Sequence, residues 1–182
     1  MSQALLKMSS SCASLYAPLE LKALSCEGVF EGYASTYDNK DSHQDVMRPG
    51  AFRRTLSQFR SQKKWPHLLW QHKQDEPLGM FEDIIENPKG LYVVGRLLLE
   101  LQRAREAYAL MKQGIISGLS IGFYPVLSRY QAAQKARHIF QVNLVEISLV
   151  TIPANAKARV HHVKSCHVVP PTVSSLVSSC AV

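Results

Sequence analysis

The chain has 182 residues, 46% of them apolar and 19% charged, with 9 Gly and 9 Pro; that is enough for one ordinary domain and unlike a disordered, collagen-like or disulfide-knotted chain. No run approaches the roughly 20 apolar residues of a membrane-crossing helix, and the N-terminus lacks the basic-then-apolar order of a secretory signal, so a soluble intracellular protein is expected. Lys and Arg number 21 against 14 Asp and Glu, for a net charge of +7, and +6 of it lies after Glu106, where seven basic residues face only Glu146; scattered charges without interleaved aromatics favour a solvated basic surface over a nucleic-acid groove.

Residues 1–22 are Ser/Ala-rich without a clean period, and 165–182 are Pro/Ser/Val-rich and uncharged. Both are expected to be flexible tails around one domain at 23–164. Residues 27–37 (EGVFEGYASTY) predict a strand bounded by glycine, followed by a polar turn at 38–42. After Pro49, Phe52, Leu56 and Phe59 fall at i, i+4 and i+7 and predict one helical face. Residues 65–72 (WPHLLWQH) predict a strand with Leu68, Trp70 and His72 on one side, and 91–99 another strand. A helix is expected over 100–113, with Leu101, Ala104, Tyr108 and Met111 as its stripe and Gly114 as its stop. Two further strands are expected at 115–128 and 138–152. Strands with one or two helices and no β-α-β alternation predict a β-rich α+β fold, a closed or partly closed β-barrel with a few flanking helices.

Four cysteines, Cys12, Cys26, Cys166 and Cys180, form no C-x-x-C pair and are expected as reduced thiols. Asp41-x-His43-x-Asp45 has donors for a metal, but its composition is that of a polar turn. Ser117–Phe123 is more informative. Read as a strand, it places Leu119, Ile121 and Phe123 on one face and Gly118, Ser120 and Gly122 on the other. A serine between glycines has open space for a peptide backbone to approach. In FQVNLVEISLVTI, one face would carry Phe140, Val142, Leu144, Glu146, Ser148, Val150 and Ile152. Glu146 interrupts an apolar row, and a carboxylate there needs a partner, an imidazole or an arginine such as Arg96, unless it sits in water at the end of the strand. His72 ends a strand and could act as a general base, in competition with His43, His67, His138, His161, His162 and His167. G-x-S-x-G at 118–122 also fits the nucleophile elbow of α/β-hydrolases, but an elbow requires a helix directly after the serine, and Phe123–Val126 continues as a strand.

Several blocks occur together and in order: Gly32-Tyr33-Ala34-Ser35 with Asp38, Asp45–Phe52, His72 running to Pro77-Leu78-Gly79, Gly90-Leu91, Gly114-Ile115, Gly118–Phe123, and Glu146–Thr151 with Pro153-Ala154-Asn155. In this order the chain resembles the HK97-type bacteriophage prohead (capsid maturation) serine proteases, relatives of the herpesvirus assembly proteases. The resemblance spans roughly residues 25–165. It implies a herpesvirus-protease-like barrel and a serine endopeptidase that cleaves capsid protein and scaffold segments, and itself, inside the assembling prohead in the host cytoplasm. It implies Ser120 as nucleophile, His72 as general base and Glu146 as third member. Backbone N–H groups near Thr151–Asn155 or Gly122 are candidates for the oxyanion hole. Acyl-enzyme chemistry of this kind requires no cofactor or metal ion. Capsid protein and scaffold segments are the implied partners, self-association is possible, and no specific nucleic acid or membrane is implied. The competing expectation is a non-catalytic capsid-assembly or scaffold-binding module, or an inactive prophage remnant, with the same fold.

Overall fold

The structure, a computed structural model, describes residues 13–18 and 28–152. In chain order it comprises β1 (Ala13–Pro18), β2 (Val29–Thr36), β3 (Asp45–Met47), α1 (Arg53–Gln62), β4 (His67–Trp70), β5 (Lys73–Glu86), β6 (Gly90–Leu97), α2 (Gln102–Lys112), β7 (Gly118–Gln131) and β8 (Ala136–Val150). The strands form one sheet in the order β1-β7-β8-β4-β5-β6-β2, with β3 also paired to β8. β1 and β2 end this path, yet their backbones approach within 8 Å, so the sheet curls far towards a barrel. This is the expected β-rich α+β architecture with few helices. β1 falls inside the stretch expected to be an N-terminal tail: its backbone pairs antiparallel with β7, Tyr16 opposite Ser120. Residues 165–182 lie outside the described residues.

β8 is the spine of the sheet. Along one edge it pairs with β7 over nearly its whole length. Along the other it pairs in parallel first with β3, at Arg137–Ile139, and then with β4, at Glu146–Leu149. The start of α1 fills the gap between them: Val142 N–H donates to the Ala51 carbonyl at 3.1 Å and Leu144 N–H to the Thr55 hydroxyl at 3.2 Å. This accounts for a buried threonine, since an edge N–H left unpaired in the interior would cost about 1–3 kcal/mol. The expected stripe on α1 is its inner face, with Phe52 and Leu56 buried and Phe59 packed against the core. No acidic residue occupies the first turn of α1. Glu86 of β5 supplies the anion instead, accepting from Gly50 N–H at 2.9 Å, Phe52 N–H at 3.3 Å and the Tyr37 hydroxyl. Burial, reinforced by that carboxylate, pushes the Tyr37 hydroxyl well above the ordinary tyrosine range.

Four expectations change in detail. β5 was not anticipated, because its buried residues Leu78, Phe81 and Ile84 recur every three positions. Register shifts against β4 and a bulge between Phe81 and Asp83 hide the strand period. β4 stops at Trp70, and Gln71 and His72 both take left-handed backbone conformations (φ 50° and 62°), so His72 lies in a turn and does not share a strand face with Leu68. On α2 the buried residues are Ala104, Ala107 and Met111, while Leu101 precedes the helix and is exposed. On β8 the supposed single face from Phe140 to Ile152 is broken: Gly122 pairs with Glu146 but Phe123 with Leu144, so Val145 is an extra residue. That bulge sends Val142, Leu144, Ile147 and Leu149 to the core and Glu146 and Ser148 to the opposite side.

Candidate active site

The core side of β7 carries Leu119, Ile121 and Phe123, all fully buried. Its other side presents Gly118, Ser120 and Gly122, as the alternation predicted. Residues directly opposite in an antiparallel pair share a face at Cβ separations of about 5 Å. Ser120 stands opposite Ser148, and Gly122 opposite Glu146. The two strands therefore make a small polar plot of two serines and a carboxylate, backed by a hydrocarbon core.

His72 reaches this plot from the neighbouring strand. β4 runs parallel to β8, with Leu69 opposite Ser148 and Trp70 opposite Leu149. The two left-handed residues then fold the chain back over β8, and Gln71 N–H donates to the Leu149 carbonyl at 2.9 Å. Left-handed geometry is costly for residues other than glycine and persists only where the surroundings impose it. Here it carries the imidazole onto the carboxylate: His72 Nδ1 lies 2.7 Å from Glu146 Oε1. A carboxylate accepts, so Nδ1 carries the hydrogen and Nε2 is left as the basic nitrogen. The ring is about a quarter exposed, while Glu146 is buried. Glu146 thus takes the imidazole as its partner; Arg96 pairs instead with Glu82 at 2.5 Å.

Ser148 was not singled out from the sequence. Its hydroxyl donates to Glu146 Oε2 at 2.6 Å and accepts the His72 backbone N–H at 3.1 Å. The signal available was a second polar residue two positions along the same strand face as Glu146. Gly122 also has a different use from the one expected. The space beside it is occupied by Glu146, and a Cβ built there would lie 2.3 Å from Oε1. Glycine at this position admits the carboxylate. Ser120 itself is fully buried.

The other candidates are placed elsewhere. His67 is exposed at the start of β4. His138 is buried, with Nε2 2.7 Å from Gln134 Oε1 and its ring stacked on Phe140. Asp41 Oδ1 accepts from the His43 and Asp45 N–H groups at 2.8 Å each, and Asp45 holds Arg137 through two hydrogen bonds; these carboxylates serve a turn and an ion pair. β7 continues as a strand to Gln131, so no nucleophile elbow exists at Ser120. His161, His162, His167 and residues 153–155 of the oxyanion expectation lie outside the described residues. Thr151 is described, and its hydroxyl accepts from Gln71 Nε2 at 3.2 Å.

Residues 17–169 match a family described as caudovirus prohead serine protease. The chain is 36% identical over 141 residues to the prohead protease of Enterobacteria phage HK97, covering 76% of this chain and 61% of that protein. It is 35% identical over 158 residues to a capsid polyprotein of Pseudomonas phage PAJU2, covering 82% of this chain and 22% of that one. It is 27% identical over 143 residues to the prohead protease of Escherichia phage T5, covering 76% of this chain and 65% of that protein. Thus the chain spans less than two thirds of the length of each of these relatives. Among solved structures, the bacteriophage T4 capsid assembly protease, gp21, matches with a TM-score of 0.61 at 11% identity, over 77% of this chain and 98% of that one; at that identity the likeness concerns the fold.

Proposed function

The chain belongs to the caudovirus prohead serine protease family, and on that premise we propose that it is an endopeptidase in which Ser120 is the nucleophile, His72 the general base and Glu146 the group that holds the base. The observation that carries this reading is the 2.7 Å hydrogen bond between His72 Nδ1 and Glu146 Oε1, on the strand face that also bears Ser120. With Nδ1–H engaged, Nε2 is the nitrogen that accepts the Ser120 proton as Oγ attacks a peptide carbonyl. The imidazolium so formed is stabilised by the Glu146 carboxylate, and it then protonates the leaving amine. Water, deprotonated by the same nitrogen, releases the acyl group from Ser120.

The proposed substrates are capsid protein and its scaffold segments, and the chain itself, within the assembling prohead in the host cytoplasm. Support for capsid protein comes from the relative named a capsid polyprotein. The test is co-expression with a phage capsid protein, followed by mass spectrometry of the products. Wild-type protein should yield defined fragments. Ser120→Ala should yield none, a loss of at least about 10⁴-fold, while keeping its melting temperature and its binding to capsid protein. Fragments at the wild-type rate from Ser120→Ala would refute the proposal in favour of a binding module.

A further inference from the structure

The hydrogen bonds around the imidazole form a closed ring in which one member has no part in the chemistry so far. His72 is held at two points, its ring by Glu146 and its backbone by Ser148, and the ring closes through the 2.6 Å bond from Ser148 to Glu146. Ser148 and Glu146 lie two residues apart on one strand face, so the spacing between the points is set by the pleat of β8. From this ring we infer that Ser148 is a positioning residue for general-base catalysis: it fixes the Glu146 carboxylate and the left-handed His72 backbone together, so that Nε2 is aimed at Ser120.

The physical argument is one of degrees of freedom. A glutamate side chain has three torsions, and one hydrogen bond to a partly exposed imidazole does not fix them. With Oε2 accepting from the Ser148 hydroxyl, both carboxylate oxygens are tied and the plane of the group is defined. The Ser148 oxygen is spent in the opposite sense, accepting the His72 N–H. A serine hydroxyl is a donor and an acceptor at once, and alanine or valine offers neither. Ser148 is fully buried, so water does not replace it without a rearrangement. The 2.6 Å bond also orients the Ser148 proton towards Glu146, which leaves this hydroxyl committed while its cross-strand neighbour Ser120 serves as nucleophile.

This inference rests on the proposed roles of Ser120, His72 and Glu146, and the experiment separates the two. Ser148→Ala, Ser148→Thr and Glu146→Gln are compared with wild type on a peptide spanning the junction found by co-expression, with kcat and KM measured separately. The ¹⁵N shifts of His72 are recorded for each on the Ser120→Ala background. Ser148→Ala should lower kcat by about 10-fold or more with KM unchanged, because a misaimed base costs rate without weakening substrate binding. The ¹⁵N shifts should move from the Nδ1–H tautomer towards a mixture, and Ser148→Thr, which keeps the hydroxyl, should restore both. Should Ser148→Ala not fold, Ser148→Cys, which leaves no cavity and carries a weaker donor, should show the same two changes in smaller measure. Wild-type kcat and an unmoved tautomer in Ser148→Ala, beside a slow Glu146→Gln, overturn the role of Ser148. Wild-type kcat in Glu146→Gln overturns the reading on which it rests.

Discussion

Gly122→Ala separates folding from catalysis at this site. The added Cβ would sit 2.3 Å from Glu146 Oε1 and 3.0 Å from Cδ, against the 3.0 Å below which real Cβ contacts are essentially absent. Oε1 must therefore retreat by about 0.7 Å or more, and it is the end of a flexible side chain, so the fold accommodates it. Alanine also recovers roughly 0.5–1 kcal/mol of the glycine entropy penalty within a strand. The melting temperature should move by only a few degrees. The same 0.7 Å falls on the atom that accepts from His72 at 2.7 Å, so it disturbs the length or the angle of that hydrogen bond. Displacements near 1 Å in a catalytic constellation cost about 10² in rate, or about 2.7 kcal/mol of transition-state stabilisation. The assay is kcat on the junction peptide beside a thermal melt by circular dichroism. If the alanine acts through Glu146, adding it to Glu146→Gln should cost little more than Glu146→Gln alone. A Gly122→Ala protein that cleaves at the wild-type rate would refute this account of the Glu146–His72 contact; strictly additive losses in the double variant would refute the route through Glu146.

Glu146→Gln itself presents an amide that can donate to Nδ1 and hold the wrong tautomer; kcat should fall by about 10³–10⁴-fold, with KM nearly unchanged, in the same peptide assay. At Asp41, burial raises the carboxyl pKa above its ordinary value of 3.8, and Oδ2 is buried without a hydrogen-bond partner. A raised folded-state pKa means that Asp41 favours the fold below its unfolded pKa and that this contribution is lost as pH rises through the folded value. Asp41→Asn keeps the acceptor for the His43 and Asp45 N–H groups and removes the titration. Its melting temperature relative to wild type should therefore rise between about pH 4 and neutrality; a difference that is flat across that range would refute the assignment.

What the chain determined by itself is its local periods. Phe52, Leu56 and Phe59 mark the inner face of α1, Leu119, Ile121 and Phe123 mark the core side of β7, and each period is a direct consequence of helix or strand geometry. The same logic made Glu146 conspicuous, because a carboxylate in an apolar row needs a partner. The identity of that partner was not legible from the row, and neither was the use of Gly122, since both are settled by the register of three strands from distant parts of the chain. Bulges did the rest of the concealment. The extra Val145 exchanges the faces of β8 midway, and the bulge in β5 gives a strand a three-residue rhythm. The left-handed pair Gln71–His72 is legible only in three dimensions, for a stronger reason: neither residue prefers that conformation, and it is held by hydrogen bonds to Leu149 and Ser148 on another strand. Local composition decided which segments could be strands and helices. Tertiary pairing decided which imidazole and carboxylate meet, because a hydrogen bond between residues 72 and 146 has no counterpart in either segment alone.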